Sequence, residues 1–240
     1  MPYSFDVAYE ESLRYFGGDE IAAKVFLAKY ALRNADGDLL EKTPKKMHRR
    51  LAKEFARIES KYPNSLSEKE ILNYFDKFKY IVPQGSPMAG IGDTNRMLSL
   101  SNCFVIQSPH DSYGGIMKSD QEQAQIMKRR GGVGFDVSTI RPKGMHTSNA
   151  AKTTDGIPIF LERFSNTCRE VAQGGRRGAL MLTLSVHHPD IREFINIKRD
   201  LTKVTGANIS IRITDEFMEA VEASGQFELR YPVDADEPEV

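Results

Sequence analysis

Apolar residues recur at helical spacing through the first eighty positions. Phe5 to Phe16 carries them irregularly, and Gly17-Gly18 stops the run. Asp19 is the predicted N-cap of a helix over 20–32, where Ile21, Val25, Phe26, Ala28 and Leu32 fall mostly on one face. Asn34 to Asp38 reads as a turn. Thr43-Pro44 opens a third helix with a cap residue and a first-turn proline, and Met47, Leu51, Phe55 and Ile58 form its apolar stripe. Pro63 ends it, and Ser65 or Ser67 starts a fourth helix that reaches Phe78.

From Tyr80 onward the period changes. Ile81-Val82-Pro83-Gln84-Gly85-Ser86-Pro87 is a short apolar run that ends in turn residues, and 101–106 reads as a buried strand. His110-Asp111-Ser112 caps a helix through Met127. Arg130-Gly131-Gly132-Val133-Gly134-Phe135-Asp136 reads as a glycine-dense corner. Residues 143–156 have the texture of a loop, and a helix follows over 157–172. A second glycine corner, Gln173 to Gly178, leads into a strand at 179–186. His188-Pro189-Asp190 starts another helix, 208–213 alternates as a strand, and Thr214-Asp215 caps a last helix. The expected fold class is therefore α/β: a helical domain over 1–80, then alternating strands and helices over 81–240. A sheet of roughly four strands leaves unpaired edges, so further strands are expected from elsewhere.

The 33 basic residues balance the 33 acidic ones, which excludes binding to nucleic acid by bulk positive charge. With 40% hydrophobic residues the chain is not of the disordered class. It has no apolar run of membrane-spanning length, and its start lacks the basic and apolar regions of a secretory signal. The two cysteines, Cys103 and Cys168, form no disulfide framework, so a reducing, cytoplasmic setting is expected.

Taken locally, few residues declare a chemistry. Gly131 to Gly134 lacks the full GxGxxG register. In Gln173 to Gly178, adjacent arginines between glycines suit phosphates or stacked bases, or form a solvated basic turn. Ser86 and Ser101 fit ordinary turn or cap positions, and Cys103 in an apolar strand fits a small buried hydrophobe. His187 and His188 lack the further ligands that zinc would want, so no metal site is expected.

The order of several strings carries more information. It comprises Ile81 to Pro87, Leu100-Ser101-Asn102-Cys103-Phe104-Val105, Arg129 to Gly134, Ile140-Arg141-Pro142-Lys143-Gly144, Val171 to Met181, and His188-Pro189-Asp190. In this order and spacing they resemble the large, catalytic subunit of ribonucleotide reductase, over about residues 5–222. The flavour is closest to the adenosylcobalamin-dependent (class II) enzymes. The resemblance implies a helical N-terminal domain followed by the first half of a ten-stranded α/β barrel. It implies that Ser86, Ser101, Asn102 and Gly132 bind the nucleotide substrate. It implies that Cys103 is one member of the redox dithiol that reduces the ribose. It further implies that Asp111, with Gln173, Arg176 and Arg177, serves a dNTP or ATP effector, that 143–156 is the first effector loop, and that the helices near 111–127 and 157–172 pair across a homodimer.

The sequence also departs from the family pattern. The Asn-Pro-Cys-x-Glu segment with the second redox cysteine, the thiyl-radical cysteine and the C-terminal cysteine pair are not among these 240 residues. The expectation is a piece of a reductase that is inactive alone. Its partners would be the portion carrying those segments and a thioredoxin-type reductant, with neither membrane nor nucleic acid involved. Its radical would come from adenosylcobalamin or, alternatively, from a separate metal-containing subunit. The competing reading is a catalytically silent nucleotide-binding and dimerisation module derived from such a subunit.

Overall fold

A computed structural model describes residues 1–171, 178–235 and 237–240. The chain divides into two compact units, Met1–Asn102 and Cys103–Val240.

The first unit is helical: α1 (Phe5–Tyr15), α2 (Glu20–Lys29), α3 (Pro44–Glu59), α4 (Glu68–Phe75) and α5 (Gly85–Gly90). Asp19 caps α2, its carboxylate accepting from the Ala22 N–H at 2.9 Å. Ser67 and Glu70 form a reciprocal capping box at the start of α4. Helix α2 stops before the expected Leu32, because the Leu32 N–H turns aside to the Glu41 carboxylate at 2.9 Å. Helix α4 ends at Phe75 rather than Phe78, since Lys77 has a positive φ of 54°. The α3 stripe is buried only in its first half: Met47, His48, Leu51 and Ala52 join the core, whereas Phe55 and Ile58 remain 43% and 40% exposed.

The unit extends about twenty residues beyond the texture change at Tyr80. Met88 of α5 joins the helical core. Arg50 of α3 donates to the carbonyls of Met88 (3.0 Å) and Ile91. The same guanidinium pairs with Glu41 at 2.8 Å, the two side chains being only 10% and 5% exposed. A buried pair of this kind fixes the 81–102 segment to the helices. The domain boundary expected at 80/81 thus lies within the helical unit.

The second unit is built on a four-stranded parallel sheet in the order β1 (Cys103–Val105), β2 (Gly132–Asp136), β3 (Leu180–Ser185) and β4 (Asn208–Arg212). Helices α6 (Tyr113–Met127), α7 (Ile157–Glu170) and α8 (Ile191–Asn196) connect the strands, and α9 (Asp215–Glu222) follows the last. Val133, Phe135, Leu180, Leu182 and Leu184 point to one face and pack with Ile116, Leu161, Phe164 and Phe194 of the helices. Two ties lock α6 to α7. The buried Gln123 amide donates to the Phe164 carbonyl at 2.9 Å, and Arg163 pairs with Asp120 at 3.0 Å.

Two strand expectations are corrected. The 101–106 segment forms only a three-residue edge strand, and its residues alternate exposed and half-buried rather than buried: Val105 is 91% exposed, whereas Ile106 packs against the core. The glycine-dense 131–136 segment is not a corner but strand β2, alternating half-buried and buried positions. The turn lies one residue earlier, where Arg130 adopts φ 72°. Gly131 is required for close approach instead, since a Cβ there would overlap Ile126 and the Phe104 ring.

Among the described residues, no helix is long and apolar enough to cross a membrane.

Candidate functional site

The sheet face turned away from α6, α7 and α8 carries mostly small and polar side chains, with Val105 and Met181 as exposed apolar ones. Parallel register places Cys103 opposite Gly132, Val105 opposite Gly134, Gly134 opposite Met181, and Met181 opposite Asn208. Partners in register share a face, so Cys103 stands beside a glycine with no side chain to cover its sulfur. Cys103 is exposed, contrary to a small buried hydrophobe. Cys168 is the opposite case. It lies on α7 within the helix–sheet core, 1% exposed, and burial pushes its thiol pKa up.

Ser86, Ser101 and Asn102 belong to the helical unit. Ser86 lies in α5 and is buried, and its hydroxyl finds no hydrogen-bond partner among the described residues. Its N–H donates to the Asn102 carboxamide oxygen at 2.9 Å, and the Asn102 amide donates to Gln84. Asn102 therefore orients the turn that begins α5. Ser101 is exposed, its N–H donating to the Ser99 hydroxyl at 3.1 Å.

A cavity of about 750 Å³ opens between α6, α7 and the 143–156 loop. Its polar lining includes Asp111, Arg141, Asn149, Asp155, Arg163 and Asn166. Asp111 is not the cap of α6. Ser112 is, accepting from the Gly115 N–H at 3.0 Å. Asp111 instead accepts from the Arg141 backbone N–H at 3.1 Å and from its guanidinium at 2.7 Å. Arg141 also donates to the His146 carbonyl inside the loop. The Tyr231 hydroxyl, with its one proton, lies 2.8 Å from the Thr139 carbonyl and 3.3 Å from the Asp111 carboxylate, and the closer carbonyl is the better acceptor. Burial raises the Tyr231 pKa, and the Asp111 charge adds to that rise. The lining thus combines the acids Asp111, Asp155, Glu162 and Glu170 with two arginines, Arg141 and Arg163, the latter paired with Asp120. That set suits a ligand with both hydroxyls and an anionic group.

A second cavity, about 840 Å³, lies at the carboxyl ends of β2 and β4. There Arg212 is shared between Asp136 (3.5 Å) and Asp234 (3.4 Å). Among the described residues, no group of three or more His, Cys, Asp or Glu side chains could hold a metal ion.

Arg141, Arg163 and Tyr231 are functional candidates that sequence reasoning missed. Arg141 stood inside a quoted motif without a role, and nothing local in Arg163 or Tyr231 marks them. His188, expected as a helix-start residue, is fully buried. Gln173, Arg176 and Arg177 lie outside the described residues.

Comparison with known proteins gives two family matches. Residues 101–240 match the ribonucleotide reductase barrel domain, and residues 16–93 match the ribonucleotide reductase all-alpha domain. The "Vitamin B12-dependent ribonucleoside-diphosphate reductase" of Thermoplasma acidophilum is 28% identical over 270 aligned positions, covering 88% of this chain and 35% of that protein. The "Ribonucleoside-diphosphate reductase large chain" of Neurospora crassa is 34% identical over 139 residues, covering 55% of this chain and 15% of that protein. The "Ribonucleoside-diphosphate reductase large subunit" of Arabidopsis thaliana is 34% identical over 142 residues, covering 57% of this chain and 17% of that protein. The chain spans between 15% and 35% of the length of these relatives. Helical unit, parallel sheet and family matches coincide along the sequence, and the chain belongs to the ribonucleotide reductase large-subunit family, carrying its all-alpha domain and part of its barrel domain.

Proposed function

We propose that this chain takes part in reducing ribonucleotides to deoxyribonucleotides by thiyl-radical chemistry. The observation that carries the reading is the exposed Cys103 thiol beside Gly132 on the uncovered sheet face. In the balanced reaction the ribose 2′-hydroxyl leaves as water. Two thiols form a disulfide; one of their protons leaves with the hydroxyl as water, and the other, with the electron pair, goes to the 2′ carbon. Cys103 is one thiol. The buried Cys168 is not the other, so the second redox cysteine and the thiyl cysteine come from the portion with the Asn-Pro-Cys-x-Glu segment. Adenosylcobalamin or a separate metal-containing subunit supplies the radical when bound. A thioredoxin-type reductant reopens the disulfide, in keeping with a cytoplasmic enzyme.

The cavity between α6, α7 and the 143–156 loop suits a dNTP or ATP effector. Asp111 would accept from ribose hydroxyls and Arg163 would pair with phosphate. Tyr113, Met117 and Ile159 leave apolar surface on α6 and α7, 60%, 41% and 52% exposed, which supports pairing with a second copy. Because residues of this chain line the cavity, nucleotide binding without catalysis is the second reading.

The test is turnover of the assembled reductase, this chain together with the portion bearing the remaining cysteines. Cys103→Ser should abolish multiple turnover with a dithiol reductant, and Cys168→Ser should retain most of it. Equal effects of the two substitutions would refute the dithiol role. Binding of dNTP with no turnover in any assembly would favour the silent module.

A further inference from the structure

His188-Pro189-Asp190 has no assigned task in the reading above, yet its side chains reach both ends of the 143–156 loop. Asp190 is buried, 6% exposed, at the start of α8. Its carboxylate accepts from the Lys143 N–H at 3.1 and 3.2 Å, where the loop begins. It also accepts from the Ile157 N–H at 2.9 Å, where the loop ends and α7 starts. The carboxylate therefore closes the loop at its base and satisfies one of the free N–H groups of α7.

His188 adds a third tie. The Asp190 N–H donates to His188 Nδ1 at 3.1 Å, so Nδ1 is an acceptor and the proton sits on Nε2. That nitrogen lies 2.9 Å from the Ile140 carbonyl and donates to it. Burial holds the imidazole below its usual pKa, in keeping with this neutral form. Arg141 follows directly and binds both Asp111 and the His146 carbonyl. Gly156 completes the arrangement. It adopts φ 73°, and a Cβ there would overlap the Asp190 carboxylate and the Lys143 backbone.

We propose that Asp190 is a positioning residue that clamps both ends of the 143–156 loop and so sets the shape of the cavity assigned above to the effector nucleotide. The consequence for binding rests on that assignment, whereas the clamp itself does not.

The experiment uses the 240-residue chain and two readouts, amide hydrogen exchange residue by residue and dNTP binding by titration. Asp190→Ala should speed exchange at Lys143 and Ile157 by about tenfold to a hundredfold, as expected for losing charge-assisted hydrogen bonds. It should weaken dNTP binding about tenfold by loosening a preformed site. Asp190→Asn keeps one acceptor oxygen that both N–H groups can share, so exchange at the two amides should rise less than in Asp190→Ala. Gly156→Ala should reproduce the loosening at both ends with the carboxylate intact. A Leu184→Ala control, cut in the sheet core, should lower stability without singling out these amides. The clamp is overturned if Asp190→Ala and Asp190→Asn leave both amides as protected as in the parent chain. It is equally overturned if Leu184→Ala gives the same pattern, because that would make the effect general stability. If the parent chain binds no dNTP while the two amides still respond, the effector assignment fails and the clamp stands.

Discussion

The two thiols of this chain should differ in reactivity by orders of magnitude, and the difference follows from the fold. Cys103 is exposed on an edge strand with Gly132 across from it, so a small alkylating reagent such as iodoacetamide reaches it without any opening of the structure. Cys168 is 1% exposed, packed in the same core as Met127, Leu161 and Phe164. It reacts only when that core opens, and its rate falls by the equilibrium constant for opening. An opening free energy of about 5 kcal/mol, the low end for a folded domain, slows it about three and a half orders of magnitude, at tenfold per 1.4 kcal/mol. The raised pKa of Cys168 reduces its reactive thiolate further. The assay is timed alkylation under native conditions at neutral pH, quenched and read by mass of the two cysteine peptides. Adding urea should bring the two rates together. Rates within tenfold of each other in native buffer would refute the reasoning, since Cys168 would then be neither buried nor closed.

Two further outcomes concern stability. Glu41→Ala leaves the Arg50 guanidinium buried and the Leu32 N–H without its acceptor, and should cost about 3–5 kcal/mol. Urea denaturation of the helical unit reads this, and an unchanged midpoint would contradict it. The remaining bonds of Arg50 to Met88 and Ile91 favour the lower end of that range. His48, His187 and His188 are each held below the ordinary imidazole pKa, burial being the leading cause in all three. The unfolded chain therefore takes up protons near pH ~6.5 while the folded chain does not, and the unfolded state gains as the pH falls. Stability should be level above about pH 7 and decline as the pH drops below ~6.5 toward the folded pKa values. His48→Leu should flatten that decline, because His48 is fully buried and neither of its ring nitrogens has a partner among the described residues. An unchanged pH slope in this variant would show that His48 is not among the groups responsible.

The helices and strands were largely legible in the sequence because local signals set them. Asp19 and Ser67 cap where their side chains accept from the backbone N–H three residues on. The strands β3 and β4 lie where β-branched and leucine-rich runs predicted them. The resemblance of ordered motifs agreed with the matches to the all-alpha and barrel domains. What failed was each reading that depended on a distant neighbour. The 131–136 segment looks like a turn by composition, yet Gly131 serves a close approach to Phe104 and Ile126, and the residues after it pair as a strand between β1 and β3. Residues 101–106 look buried by hydropathy, but β1 is an edge strand, so Cys103 is exposed. Asp111 looks like a cap from its place before a helix, but a guanidinium thirty residues away competes for the same carboxylate. The sequence by itself determined the family and the type and order of most elements, since caps and periodicity act over a few residues at a time. Only the tertiary structure decided which thiol is open, which carboxylate meets which arginine, and that Asp190 ties Lys143 to Ile157. Those outcomes depend on packing and hydrogen bonds between residues far apart in the chain, and no local pattern encodes them.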